Sequence, residues 1–92
     1  MKNSEKRQEL FWEILCDVMP TNLSFTARSM SERLTDWDIL RLFSTAPGPL
    51  FLRTQIGRWL AALEKVTDDL ELLHTHPHTY VLPSAKEEVD GA

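Results

Sequence analysis

Three histidines alternate near the C-terminal end of the chain, at His74, His76 and His78. Alternate side chains of a β-strand share one face, so three imidazoles in this pattern are candidate ligands for zinc or nickel. Pro77 interrupts the segment and indicates a turn rather than a continuous strand. We therefore predict no metal site here, and no other residue pattern predicts a cofactor.

Residues that could catalyse a reaction are no easier to find. The three glycines are isolated from one another, so the chain lacks a glycine-rich loop that could hold a phosphate. No serine, histidine and aspartate, and no cysteine and histidine, stand at a spacing that favours nucleophilic catalysis. With 92 residues, the chain is also short for a deep, dry pocket. We predict that the protein is not an enzyme and has no small-molecule substrate.

The composition is that of an ordinary globular domain, with 42% hydrophobic and 26% charged residues. Ten lysines and arginines stand against fourteen acids, which gives a net charge of -4 and no general attraction to nucleic acid. The polar N-terminus is not followed by a long apolar run, so we expect no signal peptide, no membrane contact and a cytoplasmic location. The single cysteine, Cys16, lies in an apolar stretch beside Leu15 and Val18, and we expect it to be a small buried core residue.

Apolar residues recur at steps of three and four in several segments. Four helices are predicted from them, at Ser4 to Met19, Thr26 to Leu34, Thr35 to Ser44 and about residues 50 to 66. Pro20 ends the first helix because the residue before a proline avoids helical geometry. Thr35 and Asp38 have the spacing of a capping box at the start of the third helix. The fourth helix has the most regular core stripe, which consists of Ile56, Trp59, Leu60, Leu63 and Val66.

The periodicity changes to two after Asp69. The segments from Leu70 to His74 and from Thr79 to Leu82 are predicted strands of a β-hairpin, with its tip at Thr75 to His78. A lone hairpin is marginally stable, so this one must pack on the helices. We expect residues 1–83 to form a single domain and the polar residues 84–92 to form a flexible tail.

A long helix with small and basic residues on one side, followed by a hairpin, resembles the winged helix-turn-helix family. The likeness covers about residues 21 to 82 and is carried by residues 54–64 (TQIGRWLAALE), 70–73 (LELL) and 79–82 (TYVL). It implies an α+β, mostly helical, winged-helix-like fold of about four helices followed by a C-terminal two-stranded β-hairpin. In that family a short turn joins the two helices of the motif, whereas here a helix from Thr35 to Ser44 and a Pro-Gly-Pro linker intervene. Either this additional helix is the positioning helix, or the motif is absent.

The resemblance implies a small DNA-binding protein, a transcriptional regulator or an accessory subunit, which grips duplex DNA with the helix around residues 50–66 and with the hairpin as a wing. It assigns DNA contacts to six residues: Arg53, Thr54, Gln55, Arg58, Lys65 and His76. Arginine side chains suit phosphates and guanine, and Gly57 would let the helix come close to a ligand. The acidic net charge predicts weak binding by a monomer, so we expect a homodimer or a protein partner to strengthen it.

A non-catalytic protein-interaction module is the alternative, such as an adaptor or inhibitor of phage or plasmid origin that uses a helical face. Trp12 lies beside the apolar stripe of the first helix, and Trp12 and Phe51 are the candidate partner contacts. A continuous basic stripe over the fourth helix and the wing would favour DNA. An exposed apolar patch around Trp12 or Phe51 would favour a protein partner.

Overall fold

The computed structural model describes residues 2–83, and their side chains from Glu5 onward. In chain order the elements are α1 (Lys2–Val18), β1 (Phe25–Thr26), α2 (Ala27–Arg33), α3 (Asp36–Phe43), α4 (Pro49–Val66), β2 (Glu71–Thr75) and β3 (His78–Val81). The predicted fold class is confirmed, since the described part of the chain is α+β, mostly helical and winged-helix-like, with four helices before a C-terminal hairpin. The predicted polar tail, residues 84–92, lies outside the described residues. Between residues 2 and 83 no helix is both long and apolar enough to cross a membrane.

Two threonines determine where α2 and α3 begin. The Thr26 hydroxyl oxygen accepts a hydrogen bond from the Ser29 backbone N–H at 3.1 Å, and the Ser29 hydroxyl oxygen accepts one from the Thr26 N–H at 2.9 Å. Thr35 and Asp38 form the same reciprocal pair at the start of α3, with both bonds at 3.1 Å. Each pair satisfies amide donors that a helix start otherwise leaves unpaired. The capping box predicted at Thr35 is confirmed.

The sheet has three antiparallel strands in the order β1-β3-β2, so an additional strand extends the predicted two-stranded hairpin. In this strand, Phe25 pairs with Tyr80 and Thr26 pairs with Thr79. A two-residue strand is too short to show an alternating pattern, which is why periodicity does not reveal it. The pairing makes β3 the central strand and attaches the hairpin directly to the segment that leads into α2.

The core lies where the helices meet the sheet. Its largest fully buried side chains come from both, and they are Phe11, Leu15, Met30, Leu42, Ile56, Leu60 and Tyr80. Trp59, expected in the core stripe of α4, is half-buried and packs its ring on Phe11 and Phe43, at centroid distances of 4.9 and 5.5 Å. Val66 was expected in the same stripe, but its side chain is 74% exposed. Because a helix turns about 100° per residue, Val66 points about 80° away from Ile56 and lies outside the buried stripe.

Cys16 is exposed, which corrects the expectation of a buried core residue. On α1 it points about 140° away from Phe11, and Phe11 marks the buried side of the helix. Partial burial, together with the negative charge of Asp69, raises the pKa of the Cys16 thiol above its usual value. The thiol is therefore accessible but is less readily ionised than a free cysteine.

Candidate nucleic-acid interface on the fourth helix

The fourth helix packs mainly against α2. A β-carbon built on Gly57 would lie 3.8 Å from the β-carbon of Ala27, so the side of α4 that carries Gly57 faces α2. The helix α3 lies against α1 instead and reaches α4 through the ring of Phe43. The packing partner of α4 is therefore α2, and the additional helix α3 does not take the place of the positioning helix. The close neighbour that Gly57 accommodates is thus a helix of the same chain.

A row of exposed residues runs along the solvent side of α4. We call these residues the cationic stripe: Thr54, Arg58, Ala62 and Lys65. Three of the four are predicted DNA contacts. The Thr54 hydroxyl donates to the Leu50 carbonyl at 3.0 Å, and its oxygen can still accept a hydrogen bond. Within residues 5–83 neither Arg58 nor Lys65 forms an ion pair, so both charges face solvent without a counterion from that part of the chain.

Arg53 and Gln55 flank the cationic stripe and are half-buried. Arg53 lies beside α2, where it lines a shallow groove of about 350 Å³ together with Arg28 and Glu32. The Arg28 Nε atom is 3.4 Å from a carboxylate oxygen of Glu32, and both side chains are exposed. An exposed pair of this kind contributes little to stability, so Arg28 can exchange Glu32 for a phosphate at small cost.

Arg28 is a candidate contact that the sequence reasoning did not find. Its position beside Arg53 depends on how α2 packs on α4, and this packing leaves no periodic signal in the sequence. One local signal did exist, because Arg28 follows closely after Thr26, whose capping pattern marks a helix start. A residue on the first turn of α2 is well placed to be exposed, and Arg28 is exposed there.

The hairpin adds no lysine or arginine to this surface. His74, His76 and His78 are all exposed, and the Nδ1 atom of His76 is 3.2 Å from the Thr75 hydroxyl. The His78 ring stacks against Tyr80, with ring centroids 6.4 Å apart. In the described part of the chain no three histidines, cysteines or acids are grouped so as to hold a metal ion. The positive charge of α4 therefore does not continue onto the wing as a basic stripe.

Large apolar side chains are also exposed on α3 and at the start of α4. Phe51 precedes Arg58 by seven residues, so it lies on the same side of α4 as the cationic stripe. We refer to the four exposed apolar residues together as the apolar face: Trp37, Leu40, Leu50 and Phe51. Trp37 and Leu50 are each 68% exposed, and Phe51 is 54% exposed. The Phe51 ring contacts the half-buried Phe43 ring edge to face, at 6.2 Å between centroids, which links the two helices across this face. The predicted contact residue Phe51 is thus an exposed apolar side chain.

Trp12, the other candidate partner contact, is half-buried, and part of its ring packs against the core. It forms the floor of a groove between α1 and the C-terminal end of α4. The position beside the main stripe of α1 accounts for this, because a large ring at the edge of a stripe is covered on one side only. Trp12 and Phe51 therefore belong to two separate surfaces.

Comparisons of the chain with protein-family models, with curated proteins and with solved structures find no significant match.

Proposed function

We propose that the protein is a small DNA-binding protein, a transcriptional regulator or an accessory subunit, which grips duplex DNA with α4. The observation that carries the proposal is the exposure of Arg58 and Lys65 on the cationic stripe, where neither is paired with an acid of residues 5–83. An α-helix can enter the major groove when its outer side is narrow and carries hydrogen-bond donors. Small side chains at Thr54 and Ala62 keep the outer side of α4 narrow next to Arg58.

Phosphate contacts would come from four cations on two helices, which are Arg28, Arg53, Arg58 and Lys65. Each contact releases counterions and contributes about 0.9 to the slope of log K against log salt concentration. Four contacts on a chain of net charge -4 support binding that is weak and strongly dependent on salt. His76 at the hairpin tip adds a donor beside the adjacent phosphates, but no permanent charge.

The test is binding of a labelled 20-base-pair duplex, measured by fluorescence anisotropy at several salt concentrations. We expect the double variant Arg53→Ala, Arg58→Ala to bind more weakly and to lower the salt slope by about 2, because two phosphate contacts are lost. The double variant Lys6→Ala, Arg7→Ala is the matched control, since it removes two exposed cations from α1 and changes the net charge equally. Its salt slope should equal that of the unmodified protein.

Two outcomes would contradict the proposal. One is the absence of any binding at low salt. The other is an equal loss in both double variants, which would mean that the duplex responds to total charge and not to α4. Circular dichroism of each variant checks that the helices remain folded.

The second candidate function is a non-catalytic protein-interaction module, and the apolar face is the observation that favours it. Large exposed apolar patches on globular proteins are commonly interaction sites. A second copy of this chain is the occupant that we favour, because a homodimer would double the number of cations available to one duplex. Sedimentation equilibrium should then show a dimer that Phe51→Ser abolishes, whereas a monomer at all concentrations would contradict a homodimer.

A cytoplasmic location belongs to the same proposal, as do a non-enzymatic role and independence from any cofactor. Addition of zinc or nickel, or removal of metal by a chelator, should leave both the folding and the DNA affinity of the protein unchanged. A metal-dependent change in either quantity would contradict this part of the proposal.

A further inference from the structure

A groove of about 510 Å³ runs between α1 and the C-terminal end of α4, and no residue of the cationic stripe lines it. Its floor is apolar and consists of Trp12, Leu63 and Val66. Leu63 is buried, whereas Val66 is 74% exposed. The apolar atoms of this floor are therefore accessible to a ligand that fits between the two helices.

The rim of the same groove is acidic. Glu5, Glu9 and Glu13 line it along α1, and neither lysine nor arginine is among the lining residues. The three glutamates are spaced by four residues, so they stand about 6 Å apart along one side of the helix. On the opposite wall, α4 ends at Val66, where the last carbonyl groups of a helix carry partial negative charge. The last turn of α4 also carries Lys65, but this lysine does not line the groove, so the charges that face the groove are negative.

We propose that this groove docks a cationic amphipathic helical segment of a partner protein. The glutamate spacing fits lysines or arginines placed one helical turn apart on the docked segment. Its apolar residues would cover Val66 and contact the Trp12 ring, which also attracts a cation placed over its face. The acidic rim makes the groove specific for a positively charged partner. Burial of the apolar floor on binding contributes to the affinity.

The probe for the test is a synthetic 14-residue peptide of leucine and lysine in an amphipathic helical pattern, labelled with fluorescein. Its counterpart has glutamate in place of each lysine. Fluorescence anisotropy at 50 mM salt should show saturable binding of the lysine peptide and none of the glutamate peptide. Equal binding of the two peptides, or no binding of the lysine peptide, would overturn the proposal.

Protein variants distinguish the groove from general attraction to an acidic protein. Glu9→Gln, Glu13→Gln should weaken binding of the lysine peptide at least fivefold. Glu32→Gln, Glu71→Gln removes the same charge from exposed residues outside the groove and should change binding less than twofold. Equal losses in the two double variants would assign the binding to net charge alone and would overturn the proposal.

The apolar floor is tested separately by Val66→Ser, because this side chain is mostly exposed and its replacement leaves the core intact. We expect about threefold weaker binding of the lysine peptide, with unchanged thermal unfolding. Unchanged affinity would remove the floor from the site and overturn the proposal. The proposal would also be overturned if the protein dimerises and the double variant Glu9→Gln, Glu13→Gln abolishes the dimer. The occupant of the groove would then be a second copy of this chain.

Discussion

Replacement of Gly57 by alanine is predicted to stabilise the protein. Glycine in the middle of a helix is unfavourable because its backbone loses more conformational freedom on folding than that of any other residue. Gly57 lies within α4 and faces Ala27 of α2, where a new β-carbon would lie 3.8 Å from that residue's methyl group. This distance is an ordinary van der Waals contact, so neither helix has to move.

The size of the effect follows from two terms. Helix propensity favours alanine over glycine by about 0.8–1.0 kcal/mol in a helix interior. The new contact with Ala27 adds about 0.1–0.2 kcal/mol of dispersion energy. We therefore expect the free energy of unfolding to rise by about 1 kcal/mol, which corresponds to an increase in Tm of about 4–8 °C for a domain of this size.

Urea unfolding followed by circular dichroism measures this change, as a higher midpoint with an unchanged slope. Gly48→Ala is the matched control, since a β-carbon built there has no atom within 4 Å and therefore meets no steric obstacle. Gly48 is the N-cap residue of α4, a position where glycine is preferred to alanine. The loss of the better cap offsets the reduced freedom of the unfolded chain, so we expect little net change at Gly48.

A lower midpoint for Gly57→Ala would refute the reasoning, because it would mean that α2 and α4 pack more closely than 3.8 Å allows. The variant also bears on the proposed function. Since the glycine faces α2, the added methyl group should leave DNA affinity unchanged within twofold.

Three other predictions concern the cap, the core tyrosine and the cysteine. Thr35→Ala should lower the free energy of unfolding by about 1 kcal/mol in urea titrations, because the start of α3 loses its capping hydroxyl; an unchanged midpoint would contradict this. Burial raises the pKa of Tyr80 above its ordinary value near 10, so the folded state favours the neutral phenol, and stability should be retained below pH 10 and fall as the pH rises further. Tyr80→Phe should show a smaller alkaline loss, and an identical loss would refute the assignment. Cys16 should react slowly with a maleimide at pH 7.5 despite its exposure, and Asp69→Asn should raise the rate, since it removes one of the two causes of the raised pKa; an unchanged rate would exclude the charge of Asp69 as a cause.

Local signals account for the parts of the fold that were predicted. Pro20 follows the end of α1, and the reciprocal hydrogen bonds of Thr35 and Asp38 determine the start of α3, so both boundaries depend on residues close in sequence. The periodicity of Ile56 and Leu60 likewise predicts the buried side of α4. These features need no knowledge of what packs against each helix.

The features that were missed depend on residues far apart in the chain. The strand at Phe25 forms because β3 lies beside it. Two residues are too few to predict a strand from the sequence. Cys16 lies in an apolar stretch but on the side of α1 that faces away from the core. In the candidate site, the exposure of Arg58 was predictable because it lies opposite the core stripe, whereas the proximity of Arg28 to Arg53 required the packing of α2 on α4.

The ladder between β1 and β3 joins two parts of the chain that lie far apart in sequence. It joins Phe25 to Tyr80, and closing a segment of roughly 55 residues costs about 3.5 kcal/mol of chain entropy. Three helices and the first arm of the hairpin lie inside that segment. A nascent chain cannot complete the sheet until Val81 has emerged. Because β3 pairs with β1 as well as with the other arm of the hairpin, we expect the helical part and the wing to unfold as one cooperative unit.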